Sequence, residues 1–160
     1  MMTRAYSDAY HLKRPTYKDV EVCEEWQSFI GFKSWMETQD WEGKELDKDL
    51  RVTGNKIYSP ETCMFVSSRV NSILESCRAS RGEYPIGVDK FRDVYRSRVN
   101  GIGYLGVFET EREAHAAWQL AKIEVIEGQY RLCSPEEKEV LSQVVERILD
   151  DWSAGKETVL

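Results

Sequence analysis

Long apolar runs are missing from this chain: nowhere do about 18 consecutive apolar residues occur, and the opening MMTRAYSDAYHLKRP has no apolar core of the signal-peptide kind. A protein without a membrane anchor, working in the cytoplasm, is therefore expected. Histidine is almost absent as well. His11 and His115 are the only two, which disfavours a histidine-rich metal centre and a Ser-His-Asp arrangement. The four cysteines, Cys23, Cys63, Cys77 and Cys133, are neither paired closely enough for a zinc knuckle nor dense enough for a disulfide scaffold, so reduced and mostly buried thiols are expected.

Positive charge is also in short supply. The 22 Lys and Arg against 28 Asp and Glu leave a net charge of -6, which argues against nucleic-acid binding over the whole surface. The imbalance is uneven: residues 1–80 carry 11 basic and 13 acidic groups, residues 81–108 carry 5 and 3, and residues 109–160 carry 6 and 12. The balances are thus -2, +2 and -6. Any DNA-binding surface must be local, with the acidic C-terminal part facing away from phosphate or toward another protein. A composition of 41% hydrophobic and 31% charged residues is that of an ordinary globular protein and excludes a disordered one.

In EWQSFIGFKSWMETQ, Trp26, Phe29, Ile30, Lys33 and Met36 recur at helical spacing, with Phe32 and Trp35 widening the stripe, which predicts a core helix. After DWEGKE the pieces shorten. Leu46, the Ile57-Tyr58 pair and CMFV at 63–66 read as short strands punctuated by Gly43 and Gly54. Ser67 or Ser68 can then cap a helix over SSRVNSILESC, with Val70, Ile73, Leu74 and Cys77 on its apolar face and Asn71 near the border. The unit reads as a hairpin followed by a helix.

ASRGEYP at 79–85 breaks the pattern, and IGVDKF, VYRSRVN and YLGVF follow as three short strands, the last two joined through Asn100-Gly101, a tight-turn signal. Thr110 and Glu113 have capping-box spacing before a helix whose Ala114, Ala117, Trp118 and Ala121 suit packing on a sheet through Val94, Leu105 and Phe108. His115 is expected on that helix's surface. Ser134 and Glu137 form a second capping box, opening an amphipathic helix with Val140, Leu141, Val144, Val145, Ile148 and Leu149 on one side. That face could fold back on its own domain or pair with a second copy, and the tail SAGKETVL is expected to fray. The predicted class is α+β.

Hydrolysis of a phosphodiester needs a divalent cation to steady charge on the phosphate and the leaving oxygen, and a base to activate water. In the hairpin-helix reading, Asp47 at the end of the first strand and Asn71 early on the helix converge on one point and offer a carboxylate and an amide oxygen. Two such ligands leave room for water and phosphate oxygens, as Mg2+ or Mn2+ prefers.

These residues resemble the phage-type HNH endonucleases, whose metal finger has an Asp-His pair, a loop, a WV- or FV-like strand and an Asn on the next helix. The parallel pieces are Asp47-Lys48, the loop through Gly54-Asn55, Phe65-Val66 and Asn71. Upstream, RAYSDAYHLKRPTYKDVEVCEEWQSFIGFKSWM is similar to the segment that precedes the finger in that family, so the likeness covers roughly residues 4–80. It implies a small ββα metal finger behind a helical N-terminal segment, with Asp47 and Asn71 as metal ligands and Lys48 and Asp49 as the catalytic pair. Lys48 stands where the family's general-base histidine is expected, and Thr62 where a mid-motif Asn often fixes the loop. Set between Asp47 and Asp49, Lys48 suits a phosphate contact better than the role of base, which leaves water activation to the metal or to Asp49. Asn55 beside Gly54 reads as a turn pair.

The later segment YPIGVDKFRDVYRSRVNGIGYLGVFETEREAHAAWQLA resembles the AP2-like DNA-binding domain that follows the finger in many phage HNH proteins. The likeness implies a three-stranded antiparallel sheet, packed on a helix and laid in the major groove of double-stranded DNA, with Lys90, Arg92, Tyr95, Arg96 and Arg98 as the contact residues. Two residues apart on one strand, Arg96 and Arg98 must project from the same face, where guanidinium groups can take guanine edges or phosphate. The expected organisation is a nuclease region at 1–80, a DNA-binding domain at 84–127 and a C-terminal helix and tail at 128–160. The implied activity is metal-dependent DNA hydrolysis in an infected bacterial cell. Two other readings stay open: a degenerate nuclease that binds DNA as a regulator, and a phage protein that uses its acidic C-terminal helix to bind and inhibit a host protein.

Overall fold

The computed structural model describes residues 1–52, 54–74 and 82–160, so Cys77 and the start of the expected break at 79–85 lie outside the described residues. The chain is α+β and divides into two compact units, Met1–Asn71 and Ser72–Leu160. Among the described residues no helix is long and apolar enough to cross a membrane.

The first unit opens with two short helices, α1 (Met2–Tyr6) and α2 (Asp8–Lys13), the second capped by Ser7 accepting from the Tyr10 amide. Strand β1 (Glu21–Val22) pairs in parallel with β3 (Ile57–Tyr58). Between them lie α3 (Phe29–Met36) and β2 (Glu45–Asp47). Strand β2 pairs antiparallel with β4 (Met64–Val66), in the register Glu45–Val66, Leu46–Phe65 and Asp47–Met64, and α4 (Ser68–Leu74) follows directly. Trp26, Val20, Val22, Tyr58 and Cys63 form the core, with Phe32, Trp35 and Leu46 packed against it.

The aromatic stripe expected as one core helix is divided. Trp26 sits in a 3-10 turn at Glu24–Gln27, and the helix starts only after Ser28, whose hydroxyl accepts from the Gly31 amide at 3.0 Å. That break rotates the frame, so Phe29 and Ile30 are 75% and 78% exposed, while Phe32 and Trp35 close on Trp26 at centroid distances of 5.2 and 4.4 Å.

In the second unit, β5 (Val88–Phe91), β6 (Val94–Val99) and β7 (Gly103–Phe108) form an antiparallel sheet in that order. Helix α5 (Glu111–Glu127) lies on one face of this sheet and also packs against α6 (Pro135–Ser153). Both expected capping boxes form, at Thr110 with Glu113 and at Ser134 with Glu137, each satisfying amides that a helix start leaves open. The β6–β7 connection is looser than the Asn-Gly signal suggested. Val99 pairs with Gly103, leaving three residues in the loop, and of these only Gly101 has a positive φ, 103°. Gly87, at φ 81°, is required for a different reason: a Cβ there would lie 1.9 Å from Cδ1 of the core residue Trp118.

Two expectations about this unit are corrected. His115 is buried: its Nε2 accepts the Thr158 amide at 3.0 Å, its Nδ1 lies 3.1 Å from the Ile86 carbonyl, and its ring stacks on Trp118. The tail is docked, because Gln119 Nε2 donates to the Lys156 carbonyl and to Thr158 Oγ1, and Leu160 packs on the Ile86–Val99–Trp118 cluster. With α6 and the tail beside it, α5 is buried on two sides, so a sequence pattern that assumes a sheet on one side underestimates its buried face.

Candidate functional site

Along β2 the side chains alternate. Leu46 faces the core, while its cross-strand partner Phe65 stacks on Trp35 at 5.6 Å. Glu45 and Asp47 share the other face, and this face is turned to α4: Glu45 Oε1 accepts from Ser68 Oγ at 2.7 Å, and Oε2 accepts from Asn71 Nδ2. These two hydrogen bonds, the one from Ser68 first, hold the Glu45 carboxyl below its ordinary value of 4.5, so it is ionised at neutral pH. Asn71 therefore does reach the strand face that carries Asp47, but through Glu45, a residue whose only sequence signal is its two-residue step from Asp47.

Asp47 begins the loop. Its Oδ1 accepts from the Asp49 and Leu50 amides at 2.8 and 2.7 Å, the local turn that aspartate favours, and among the described residues nothing hydrogen-bonds to Oδ2. Lys48 is turned inward with its side chain 9% exposed. Its ammonium donates to Asp49 Oδ1 at 2.6 Å and to the Asn55 carbonyl at 2.8 Å, and it lies 5.8 Å from the centroid of Tyr17. Asp49 keeps its other carboxylate oxygen and is half-exposed.

The amide that fixes this loop is Asn55, not a group at Thr62 alone. Asn55 Nδ2 donates to the Lys48 and Ile57 carbonyls at 2.8 and 2.6 Å, and Oδ1 accepts from the Ile57 amide at 3.1 Å. Thr62 joins the same point, donating to the Ile57 carbonyl at 2.7 Å. Asn55 is thus a clamp across the loop rather than half of a turn pair. Spacing could not show this, because the contact depends on the loop folding back over seven residues.

As a donor set, Asp47 and Asn71 with Glu45 beside them offer hard oxygens, which suit Mg2+ or Mn2+ retaining several waters. Among the described residues no three His, Cys, Asp or Glu side chains gather as a metal site. A cation here would rest on a mixed carboxylate and amide set, and the donor chemistry fits one that is lightly held and largely hydrated.

In the second unit the sheet register separates the expected contact residues onto two faces. Ser97 and Val99 are buried, Val99 in the cluster with Trp118, so alternation puts Tyr95 on the α5 face as well. Lys90 pairs with Tyr95 across the strands and its ammonium lies 5.7 Å from that ring. Arg96 and Arg98 point to the open face. There Arg96 pairs with Asp89, its Nε at 2.8 Å from Oδ2, and its guanidinium lies 4.6 Å from the centroid of Phe91. Arg98 is exposed, makes no ion pair among the described residues and stands opposite Tyr104. Arg92 occupies the two-residue β5–β6 turn at φ 55°, with its guanidinium 5.2 Å from the same Phe91 ring.

The open face therefore also includes Phe91, Tyr104 and Val107, which are 45%, 56% and 53% exposed. The register steps from Ser97–Gly106 to Arg98–Tyr104, so Leu105 is left unpaired and packs toward Trp118. Without that bulge, Tyr104 and Arg98 could not both face outward while Leu105 faces in, and the strand sequences alone do not announce it. A depression of about 290 Å³ elsewhere in this unit is lined by Arg112, His115, Gln119, Trp152 and Lys156 among others, and by none of the residues expected to act on DNA or metal.

No protein-family model matches the chain, and no curated protein or solved structure is significantly similar to it.

Proposed function

We propose that this is a DNA-binding protein of the phage HNH endonuclease type, with an AP2-like second unit that holds duplex DNA and a ββα finger in the first unit that hydrolyses a phosphodiester bond with Mg2+ or Mn2+. What carries the reading is the open sheet face, where Arg96, Arg98, Phe91 and Tyr104 stand together with the α5 helix on the opposite side. Guanidinium groups on a twisted antiparallel sheet can reach base edges and phosphates of a major groove, and exposed aromatics extend the contact. Asp89 and Phe91 hold Arg96 in one pose, while Arg98 is free to meet phosphate. On the other face, Lys90 would act from the edge strand β5, and Tyr95, on the central strand, by shaping the sheet.

In the finger, Asp47 Oδ2 and the Asn71 amide oxygen would hold the cation. The cation would supply charge neutralisation on the scissile phosphate and the leaving oxygen. Lys48 orders the loop through Asp49 and the Asn55 carbonyl, so it does not serve as base, and the exposed carboxylate oxygen of Asp49 is the group able to take a proton from water.

The burial of Lys48 also favours a second reading, in which the finger keeps its shape and the protein binds DNA as a regulator without cutting it. Supercoiled plasmid incubated with the purified protein and Mg2+ or Mn2+ separates the two. Nicking that disappears in Asp47→Ala supports the nuclease; duplex binding without nicking in either metal supports the binder. Arg96→Ala with Arg98→Ala should weaken duplex binding and shallow its salt dependence by about 2 units on a log-log plot if both contact phosphate. Unchanged affinity would remove the open face from the interface.

A further inference from the structure

Resting on the metal-finger reading, we propose that Glu45 is a positioning residue: its carboxylate fixes the orientation of the Asn71 amide, so that Asn71 presents its oxygen, and not its NH2, to a divalent cation held with Asp47. Asn71 donates from Nδ2 to Glu45 Oε2, so its NH2 group is taken up there. Asn71 Oδ1 is then turned away from Glu45, and among the described residues no donor bonds to it. Left to itself, a carboxamide can rotate half a turn and put either atom forward, and only the oxygen binds a hard cation.

Glu45 is itself held. Its second oxygen accepts from Ser68, one helical turn before Asn71, so the carboxylate bridges two successive points on α4. It is also two residues from Asp47 on the same strand face, roughly 7 Å along the strand, so the strand that holds the amide also carries the proposed metal carboxylate. The side chain that fixes the ligand is thus carried by the same strand as the other ligand, and the hairpin and helix cannot shift without disturbing both. Outer partners of this kind typically change metal affinity by about 10–100-fold when removed.

Mn2+ binding to the full chain, followed by the loss of the free-ion signal in electron paramagnetic resonance, tests this without relying on cleavage. Glu45→Ala is expected to weaken Mn2+ binding by about 10–100-fold. Glu45→Gln, which can still accept from Asn71 Nδ2 through its own amide oxygen, should recover most of that loss. Because Glu45 acts through Asn71, the double variant Glu45→Ala with Asn71→Ala should bind no more weakly than Asn71→Ala alone. Losses that add would make Glu45 a ligand in its own right and overturn the positioning role, as would wild-type affinity in Glu45→Ala. If the wild type binds no Mn2+ that Asp47→Ala abolishes, the metal-finger reading falls, and the role of Glu45 falls with it. Urea midpoints of each variant separate a metal effect from unfolding.

Discussion

Replacing Asn55 by Ala removes three hydrogen bonds at once: two donated by Nδ2 to the Lys48 and Ile57 carbonyls, and one accepted by Oδ1 from the Ile57 amide. Each such bond contributes about 1 kcal/mol net. The Ile57 carbonyl keeps its bond from Thr62, and Ile57 is exposed enough for water to reach it, so part of the loss is recovered. The expected cost to the first unit is therefore about 2–3 kcal/mol. For a unit of this size that lowers Tm by about 10–20 °C. Hydrogen exchange read by mass spectrometry assigns the change to a region: amides in 48–57 should exchange much faster in Asn55→Ala, while those of the β5–β7 sheet should not change. A destabilisation below about 0.5 kcal/mol, with unchanged exchange in the loop, would refute the clamp and return Asn55 to the status of a turn residue.

Three further outcomes follow from the same contacts. Gly87→Ala puts a side chain at φ 81° and into the Trp118 ring, and should cost the second unit about 2–5 kcal/mol, read as a shifted urea midpoint. Deleting residues 156–160 removes the Thr158 amide that His115 Nε2 accepts and both groups to which Gln119 Nε2 donates, and uncovers part of the Trp118 cluster; a loss of about 2–4 kcal/mol is expected, and a midpoint within experimental error of wild type would mean that the docked tail contributes nothing. Burial pushes the Cys63 thiol from 9.0 up to about 11, so its contribution to stability is complete below pH 9 and is lost as the pH rises toward 11. Cys63→Ala should therefore show a flatter decline in urea midpoint over that alkaline range, and parallel curves would exclude the thiol as the cause.

Much of the local structure was legible in the residues themselves. The capping boxes at Thr110 and Ser134 formed as their spacing required, because the hydroxyl and carboxylate that satisfy the helix start lie within three residues of it. The same locality accounts for the three strands between 88 and 108 and for the helix after Val66. Where the pattern misled, a partner distant in sequence had intervened. His115 looked like a surface residue because its hydrogen-bond partners are Ile86 and Thr158, 29 and 43 positions away. Phe29 and Ile30 matched a helical stripe, but the stripe's first member, Trp26, belongs to a separate turn, and the Ser28 cap resets the helix's facing.

The candidate site divides in the same way. Sequence determined which residue types were on offer: an Asp at the end of a short strand, an Asn early on the next helix, and two arginines two residues apart on a β-strand. It also determined that Arg96 and Arg98 share a face, since strand alternation is a property of the backbone alone. Only the tertiary structure decided that Lys48 points inward to Asp49 and the Asn55 carbonyl, that Lys90 pairs with Tyr95 and so lies on the opposite face from the two arginines, and that Glu45 accepts from Asn71. The physical reason is that a side chain's chemistry is written in its own residue, while its direction and its partners depend on strand register and loop return, and these are set by packing across the chain.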